Sequence, residues 1–330
     1  MRTLLVTLLS LFVTSAVTAG PPAEGTIRIA TWNIENWNDH FQAFRDKDLP
    51  EPATEEGREQ RRQERFQNME DNWEVAVVLL DPDFAPDILL TQEGCSQEEL
   101  DHFAQEWEEV GQTYPTRVVF PGNSGRGQML QLLMRDGFRI IKTNNDLHLV
   151  PDTRDLNPRS DRLFGRGPAF VLVETPDGDR FWVGTTHQKS KGGNSIEVTQ
   201  WRMAEATMTH ALMVELAKEA PVFLLGDMND EIGFQEYELP AGGDVMAALA
   251  GLHNRDAADD FVIVTRDLAM QGVITYSGYW RDRFRSFIDH IVADQAGAKL
   301  VKNTDVFDNT WVRVASDHVP VYIDVVPAVP

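Results

Sequence analysis

Apolar residues in this chain come in short runs that end in polar ones, and most runs have strand length. Ile27 to Asn33 alternates toward a β-strand, and Asp87 to Gln92 is a short apolar strand after Pro86. Gln128 to Met134 and Phe138 to Thr143 predict a hairpin around Asp136-Gly137; Ala169 to Glu174 and Arg180 to Thr186 predict another around Pro176-Asp177-Gly178. Val222 to Leu225 is a buried strand running into Gly226-Asp227, and Phe287 to Val292 and Val319 to Val325 are late strands. Helical patterns cover Trp73 to Leu80, stopped by Asp81-Pro82, and Gln97 to Val110, opened by Ser96 as a cap. The longest, Glu197 to Glu219, has Trp201, Ala204, Met208 and Leu212 along one face. Asp39 to Asn72 is a charged, polar loop leading into the first helix, with Glu55 to Arg65 dense in both signs. There is no repeat, low-complexity segment or linker. Strands and helices intermix throughout, often as antiparallel hairpins, which favours a single domain over residues 20–330: sheets packed on each other and covered by helices.

The first residues fit a different pattern. Arg2 gives a positive start, Leu4 to Val13 is an apolar run, and small residues with Val17 and Ala19 precede Gly20. Charge, apolar run and small-residue exit in that order predict a signal peptide over residues 1–19, hence a secreted or periplasmic protein. No later segment holds ~18 uninterrupted apolar residues, so no membrane span is expected.

Composition and charge narrow the classes. The chain is 42% hydrophobic, enough for a substantial core. With 52 acidic and 30 basic residues its formal charge is −22, which argues against nonspecific nucleic-acid binding through a broad basic face. A nuclease stays open, because divalent cations can bridge an acidic site to phosphate. Cys95 is the only cysteine, so no internal disulfide forms; it reads as a small buried hydrophobe, with nothing nearby to activate it.

Five segments place acid, amide or imidazole at the C-terminal end of an apolar strand: IATWNIEN, ILLTQEG, VGTTHQKS, FLLGDMND and FIDHIVADQ. A sixth, VASDHVPV, sets its polar trio just before a strand. Taken singly each is weak: GDMND is also a turn signal and SDH an N-cap. Together they contribute Asn33, Glu93, His187, Asp227, Asn229, Asp289, Asp317 and His318. Carboxylates and amides without thiolates suit a hard cation, Mg²⁺ or Mn²⁺, and histidines beside carboxylates suit proton transfer and oxyanion stabilisation. That set serves metal-assisted hydrolysis at phosphorus.

WNIEN, TQEG, GDMND, IDH and SDHVP, in this order, resemble the signature segments of the endonuclease/exonuclease/phosphatase superfamily, the DNase I-like enzymes, from Ile27 to about Val325. The resemblance implies an α/β (α+β) fold, a four-layer αββα sandwich of two mainly antiparallel sheets face to face with outer helices. It implies Glu93 as principal metal ligand, with Asn33 positioning metal or phosphate and Asp317 supporting the metal or the nucleophile. Asp227 then activates the attacking water, Asn229 holds that water or a phosphate oxygen, and His318 contacts phosphate with Asp289 fixing its ring. A hydrogen bond between Asp289 and His318 is therefore expected. His187 contacts the scissile phosphate or assists the leaving group, and resembles the residue of DNases, sphingomyelinases and inositol phosphatases rather than the tyrosine of AP endonucleases. Gln128 stands where such nucleases carry a glutamate, leaving His187 without its acidic partner. His290 should point away from Asp289 into packing.

Arg154, Arg159, Arg162 and Arg166 lie on one loop and suit either substrate phosphate or a solvated surface; Arg166 is the best placed for phosphate, and Lys189 and Lys191 are further candidates. The expected substrate is a phosphodiester or phosphomonoester, nucleic acid among the candidates, with no obligate protein partner. The functions in view are a secreted nuclease or phosphodiesterase, a sphingomyelinase-like or inositol-phosphate enzyme, and a non-catalytic binding protein on the same scaffold. The last predicts losses among the polar residues, and Glu93, Asp227, Asn229, Asp317 and His318 are all present. A calcineurin-like phosphatase would need a GNH motif that the chain lacks.

Overall fold

The computed structural model describes residues 20–35, 54–60, 74–109, 111, 113–152, 161–191, 196–233, 244–252, 256–277 and 285–327. The expected signal segment, most of the charged stretch before the first helix, and Arg154 and Arg159 lie outside them. In chain order the strands are β1 (Ile27–Asn33), β2 (Ile88–Gly94), β3 (Thr116–Phe120), β4 (Met129–Met134), β5 (Arg139–Asn144), β6 (Ala169–Glu174), β7 (Arg180–His187), β8 (Val222–Asp227), β9 (Val262–Ile263), β10 (Tyr276–Ser277), β11 (Arg285–Ser286), β12 (Asp289–Ala293), β13 (Val301–Val306) and β14 (Val321–Val325). The helices are α1 (Glu74–Leu80), α2 (Gln97–Glu109), α3 (Ile196–Leu216), α4 (Val245–Leu249), α5 (Arg266–Met270), α6 (Gln295–Leu300) and α7 (Thr310–Ala315).

Two six-stranded sheets run in the orders β13-β14-β1-β2-β4-β3 and β5-β6-β7-β8-β12-β9. Each is antiparallel except for one pair near its middle, β1 with β2 and β7 with β8. Between them lies a core built from one face of every long strand, including Ile27, Ile29, Leu90, Leu132, Val171, Val183, Leu225, Ile291 and Ile323. The opposite face of the first sheet packs Ala30, Trp32, Leu89 and Tyr322 on α1, α2 and α7. That of the second packs Phe170, Trp182, Leu224 and Val292 on α3 and α4. Because both faces of each sheet are covered, the strands carry apolar residues on both faces, which is why they read as runs rather than strict alternation. The result is the expected αββα sandwich, with mixed sheets. Ser96 caps α2 as expected: its Oγ accepts from the Glu99 N–H at 3.4 Å, while Glu99 Oε2 accepts from the Ser96 N–H at 2.7 Å, a reciprocal capping box.

One sequence expectation is corrected. β4 and β5 do not form a hairpin: β4 is flanked by β2 and β3 and has no free edge, so the Asp136-Gly137 turn carries the chain across to the second sheet, where β5 pairs with β6. On α3 the Trp201, Ala204, Met208 and Leu212 stripe is half-buried, and the fully buried face is a different one. It carries Thr199, Arg202, Glu205, Ala206, Thr209, His210, Met213 and Leu216. Two charged residues of that face, Arg202 and Glu205, go inward to meet specific partners, described below.

His290 points away from Asp289, as strand alternation requires. It is buried, its Nε2 is 3.0 Å from the Asp230 carbonyl and its Nδ1 3.0 Å from Thr265 Oγ1. Burial lowers its pKa to about 4. An unfolded histidine titrates near 6.5, so as pH falls from that value toward 4 the unfolded chain takes up a proton that the folded one refuses, and stability is lost. Between pH 7 and pH 5 this amounts to about 2 kcal/mol. The loss is expected to be absent from His290→Gln; urea unfolding midpoints of both proteins at the two pH values check it, and equal pH sensitivity would refute it.

Candidate active site at the seam of the two sheets

Along each central strand the inter-sheet face turns from apolar to polar toward one end of the sandwich. On β1 it runs Ile27, Ile29, Thr31, Asn33; on β7 Phe181, Val183, Thr185, His187; on β8 Phe223, Leu225, Asp227. Side chains two residues apart share a face, so this grading alone delivers Asn33, His187 and Asp227 to one edge of the seam. Gln92 on β2 lies just beneath and donates to Thr185 Oγ1 at 2.8 Å, bridging the sheets.

Glu93 would point to the helical side by the same rule. Instead the register of β2 against β4 shifts between Thr91 and Gly94, and Glu93 takes φ +61°. A bulge of this kind re-aims a side chain, and here it brings the Glu93 carboxylate within 3.9 Å of both Arg166 Nη1 and His187 Nε2. Gly226 has a different role. A Cβ there would lie 2.1 Å from the Thr186 carbonyl oxygen, so only glycine lets β8 approach β7 where Asp227 meets His187.

The segment Ser316 to His318 is pinned over the end of β1. Ser316 Oγ donates to the Asn33 carbonyl at 2.6 Å and accepts from the His318 N–H at 3.0 Å; Trp32 Nε1 donates to the His318 carbonyl at 3.1 Å. Thr275 clasps the other side: its hydroxyl accepts from the Ile288 and Asp289 N–H groups at 3.1 and 3.2 Å, and its carbonyl accepts from Val319 at 2.7 Å. Held this way, His318 Nδ1 lies 2.8 Å from Asp289 Oδ2, the expected hydrogen bond.

At the centre stands Asp227, buried. Its Oδ2 accepts from Asn33 Nδ2 at 3.0 Å and lies 3.2 Å from His187 Nε2 and 3.9 Å from His318 Nε2; its Oδ1 accepts from the Asn229 N–H at 2.8 Å. Burial pushes its carboxyl up to about 7, reinforced by Asp289 and opposed by His318. Burial would lower His318, but the charge and hydrogen bond of Asp289, with Asp227 and Asp317, outweigh it and raise the ring to about 10. His187 goes the other way: burial, then the positive charge of Arg166, hold it well below the usual histidine range. The site therefore pairs a cationic imidazole with a neutral one across a single carboxylate.

Asp227, Asp289 and His318 present atoms close enough to hold a metal ion, all within 4.8 Å of one another. A ring protonated on both nitrogens and bonded to Asp289 has no lone pair to offer, so this trio is better suited to proton handling. The residues that could instead hold a hard cation are Glu93, Asp317 and Asn33, with Glu35 beside them. Glu35 Oε2 accepts from the Asp317 N–H at 3.1 Å, and the Asn33 side-chain carbonyl accepts from the Glu35 N–H at 3.1 Å. Burial raises both Glu35 and Asp317, and the Glu93 charge raises both further. Oxygen donors that repel one another fit a divalent cation such as Mg²⁺ or Mn²⁺.

Glu35 was missed in the sequence because it follows the end of β1, where alternation no longer assigns a face; its φ of +46° marks the turn that aims it. Tyr276 was missed as well. It sits in a two-residue strand, bridges His318 backbone to backbone, and sets its ring 4.8 Å from the imidazole at a 45° tilt.

The remaining candidates surround this centre. Arg166 is half-buried at the rim; Nη1 donates to Gln128 Oε1 at 2.8 Å and Nη2 to the Gln188 carbonyl at 3.4 Å. Gln128 thus faces an arginine, and His187 Nδ1 is buried with no hydrogen-bond partner among the described residues. Asn229, at φ +51°, donates its Nδ2 to the Gln188 carbonyl at 3.1 Å. Its own carbonyl accepts from Arg202 at 2.8 Å, and Arg202 pairs with Asp230 at 3.1 Å, which explains one inward charge of α3. The other, Glu205, accepts from the Lys189 N–H at 2.9 Å. Lys189 Nζ turns onto Ser190 and lies 5.9 Å over the Trp201 ring, and Lys191 Nζ pairs with Asp230 at 2.7 Å.

The family described as Endonuclease/Exonuclease/phosphatase matches residues 30–318. No curated protein matches the chain in sequence. Among solved structures, an endonuclease/exonuclease/phosphatase from Bacteroides vulgatus is similar with TM-score 0.59 at 16% identity, over 92% of this chain and 99% of that one. The human nocturnin catalytic domain with bound sulfate follows with TM-score 0.55 at 17% identity, over 93% and 94%. D. rerio TDP2 complexed with single-strand DNA product gives TM-score 0.54 at 14% identity, over 91% and 99%. At these identities the likeness is one of fold.

Proposed function

This chain belongs to the endonuclease/exonuclease/phosphatase family, and from that premise we propose that it is an exported, divalent-metal-dependent phosphoesterase that hydrolyses phosphodiester bonds by attack of water. The observation that carries the reading is Asp227, buried and held between His187 at 3.2 Å and His318 at 3.9 Å, with an acidic oxygen-rich rim beside it. Asp227 takes the proton as the water oxygen bonds to phosphorus and the bond to the leaving oxygen breaks. Asn229 fixes the carboxylate from the backbone and offers its amide to the water or a phosphoryl oxygen. The His318 imidazolium, oriented by Asp289, meets the charge that grows on the phosphoryl oxygens, and neutral His187 donates from Nε2. When bound at Glu93, Asp317, Asn33 and Glu35, a divalent cation supplies further neutralisation of that charge. The N-terminal sequence supports export to a secreted or periplasmic location. Nucleic acid as substrate is supported by family membership and by the DNA product held by the TDP2 neighbour.

The test is hydrolysis by the purified chain, with Mg²⁺ or Mn²⁺, of plasmid DNA, RNA, bis-p-nitrophenyl phosphate, p-nitrophenyl phosphate, sphingomyelin and inositol phosphates. Cleavage of the diesters, nucleic acid included, is the expected result. Turnover confined to the lipid or inositol substrates would reassign the substrate class, and silence from folded protein across the panel would refute the reading.

A further inference from the structure

One exposed cation near the site has no part in the chemistry above. Arg126 sits at the tip of a turn in which the Gly127 N–H donates to the Ser124 carbonyl at 3.2 Å and the Arg126 N–H to Ser124 Oγ at 3.3 Å. The loop carrying it is stapled to the loop carrying Arg166. The Asn123 N–H donates to the Gly165 carbonyl at 2.8 Å, and Asn123 Nδ2 to the carbonyls of His148 at 2.6 Å and Phe164 at 2.8 Å. Two residues after Arg126, Gln128 accepts the 2.8 Å hydrogen bond from Arg166 itself. The two arginines therefore lie on adjoining, mutually anchored loops.

Three features give this placement meaning. Arg126 makes no ion pair among the described residues, although acidic side chains outnumber basic ones by 52 to 30 in the chain. Its charge is felt by both Arg166 and His187, and in each it opposes a further positive charge. Its neighbour Arg166 is already engaged by Gln128, Gln188 and Glu93, which leaves Arg126 as the outward-facing member of the pair. Cation beside cation is unfavourable unless an anion arrives between or beside them, and the guanidinium fork matches phosphate oxygens.

We propose that Arg126, backed by Arg166, forms a second phosphate position next to the scissile one, so that the preferred substrate is a nucleic-acid strand carrying another phosphate beside the bond that is cut. The inference rests on the hydrolase reading for its biological sense, but the position binds phosphate whether or not turnover occurs.

Two measurements separate these. Calorimetric titration compares thymidine 3′,5′-bisphosphate with thymidine 5′-phosphate and with inorganic pyrophosphate, for the parent and for Arg126→Gln. The bisphosphate is expected to bind about tenfold tighter than the monophosphate in the parent, and that advantage is expected to vanish in Arg126→Gln. Equal Kd values in the parent, or an advantage that persists in the variant, would overturn the position. Pyrophosphate binding tighter than the bisphosphate and lost with Arg126 would overturn the strand as its occupant. In turnover, thymidine 5′-(p-nitrophenyl phosphate) is compared with its 3′-phosphorylated form, and the 3′ ester with its 5′-phosphorylated form. In one polarity Arg126→Gln should lower kcat/KM for the phosphorylated ester about tenfold more than for the plain one; equal losses in both polarities would overturn the proposal. If no ester is turned over, the hydrolase reading fails and the titration still decides the phosphate position.

Discussion

Asp227→Asn is expected to lower kcat by roughly 10³-fold, the scale of a lost general base, in a protein that stays folded. Its stability should not suffer. The folded chain holds the Asp227 carboxyl up to about 7 through burial, whereas an unfolded aspartate titrates near 4. Across that window the unfolded state releases its proton first, so the ionised group costs stability as pH rises, and the asparagine removes the cost. His318→Ala should remove turnover on a similar scale with the opposite effect on the fold. It strands Asp289, whose Oδ2 is bonded to the ring at 2.8 Å, as a buried charge without its partner, a loss of about 3 kcal/mol. Steady-state rates together with thermal midpoints in metal-free buffer at pH 8 separate the two. Near-normal kcat in Asp227→Asn would remove it as the base, and a midpoint well below the parent's would refute the burial argument.

Chelation is expected to abolish turnover, with Mg²⁺ or Mn²⁺ restoring it, and the same cation should raise the melting temperature of the stripped protein. Glu35 and Asp317 are both raised by burial and by the Glu93 charge, a repulsion that a cation relieves. A ligand at 100 times its Kd stabilises by about 2.7 kcal/mol, which for a chain of this size is a shift of several degrees. Glu93→Gln should lose most of that shift. Full activity after exhaustive chelation, or an unchanged melting temperature on adding metal, would refute the assignment of these carboxylates.

Much of the fold was legible because its strands are buried on both faces and so appear as apolar runs with polar ends; β1, β7 and β8 are plain examples. What the pattern could not reveal was which sheet a strand joins. β4 and β5 follow one another around a turn signal, yet pairing depends on free edges, and β4 has none. The inner face of α3 is not legible from sequence, because Arg202 and Glu205 look like solvent residues until their partners, Asn229, Asp230 and Lys189, are known. In the site, Asn33, His187 and Asp227 were readable from alternation at strand ends. Glu93 was named from its motif, although alternation alone would have sent it outward, and the bulge is invisible in sequence. Glu35 and Tyr276 escaped notice because each lies in a turn or a two-residue strand, where no periodicity exists.

The site is divided almost evenly between the two sheets. Asn33, Glu93, Asp317 and His318 come from the first or its flanking loops, and His187, Asp227 and Asp289 from the second. Its two decisive contacts, Asn33 to Asp227 and His318 to Asp289, both span the gap. Neither leaf of the sandwich holds a working half. Assembly of the site is accordingly a property of the docked pair, and a chain in which only one leaf has formed has none of the cross-sheet contacts that orient Asp227 and His318.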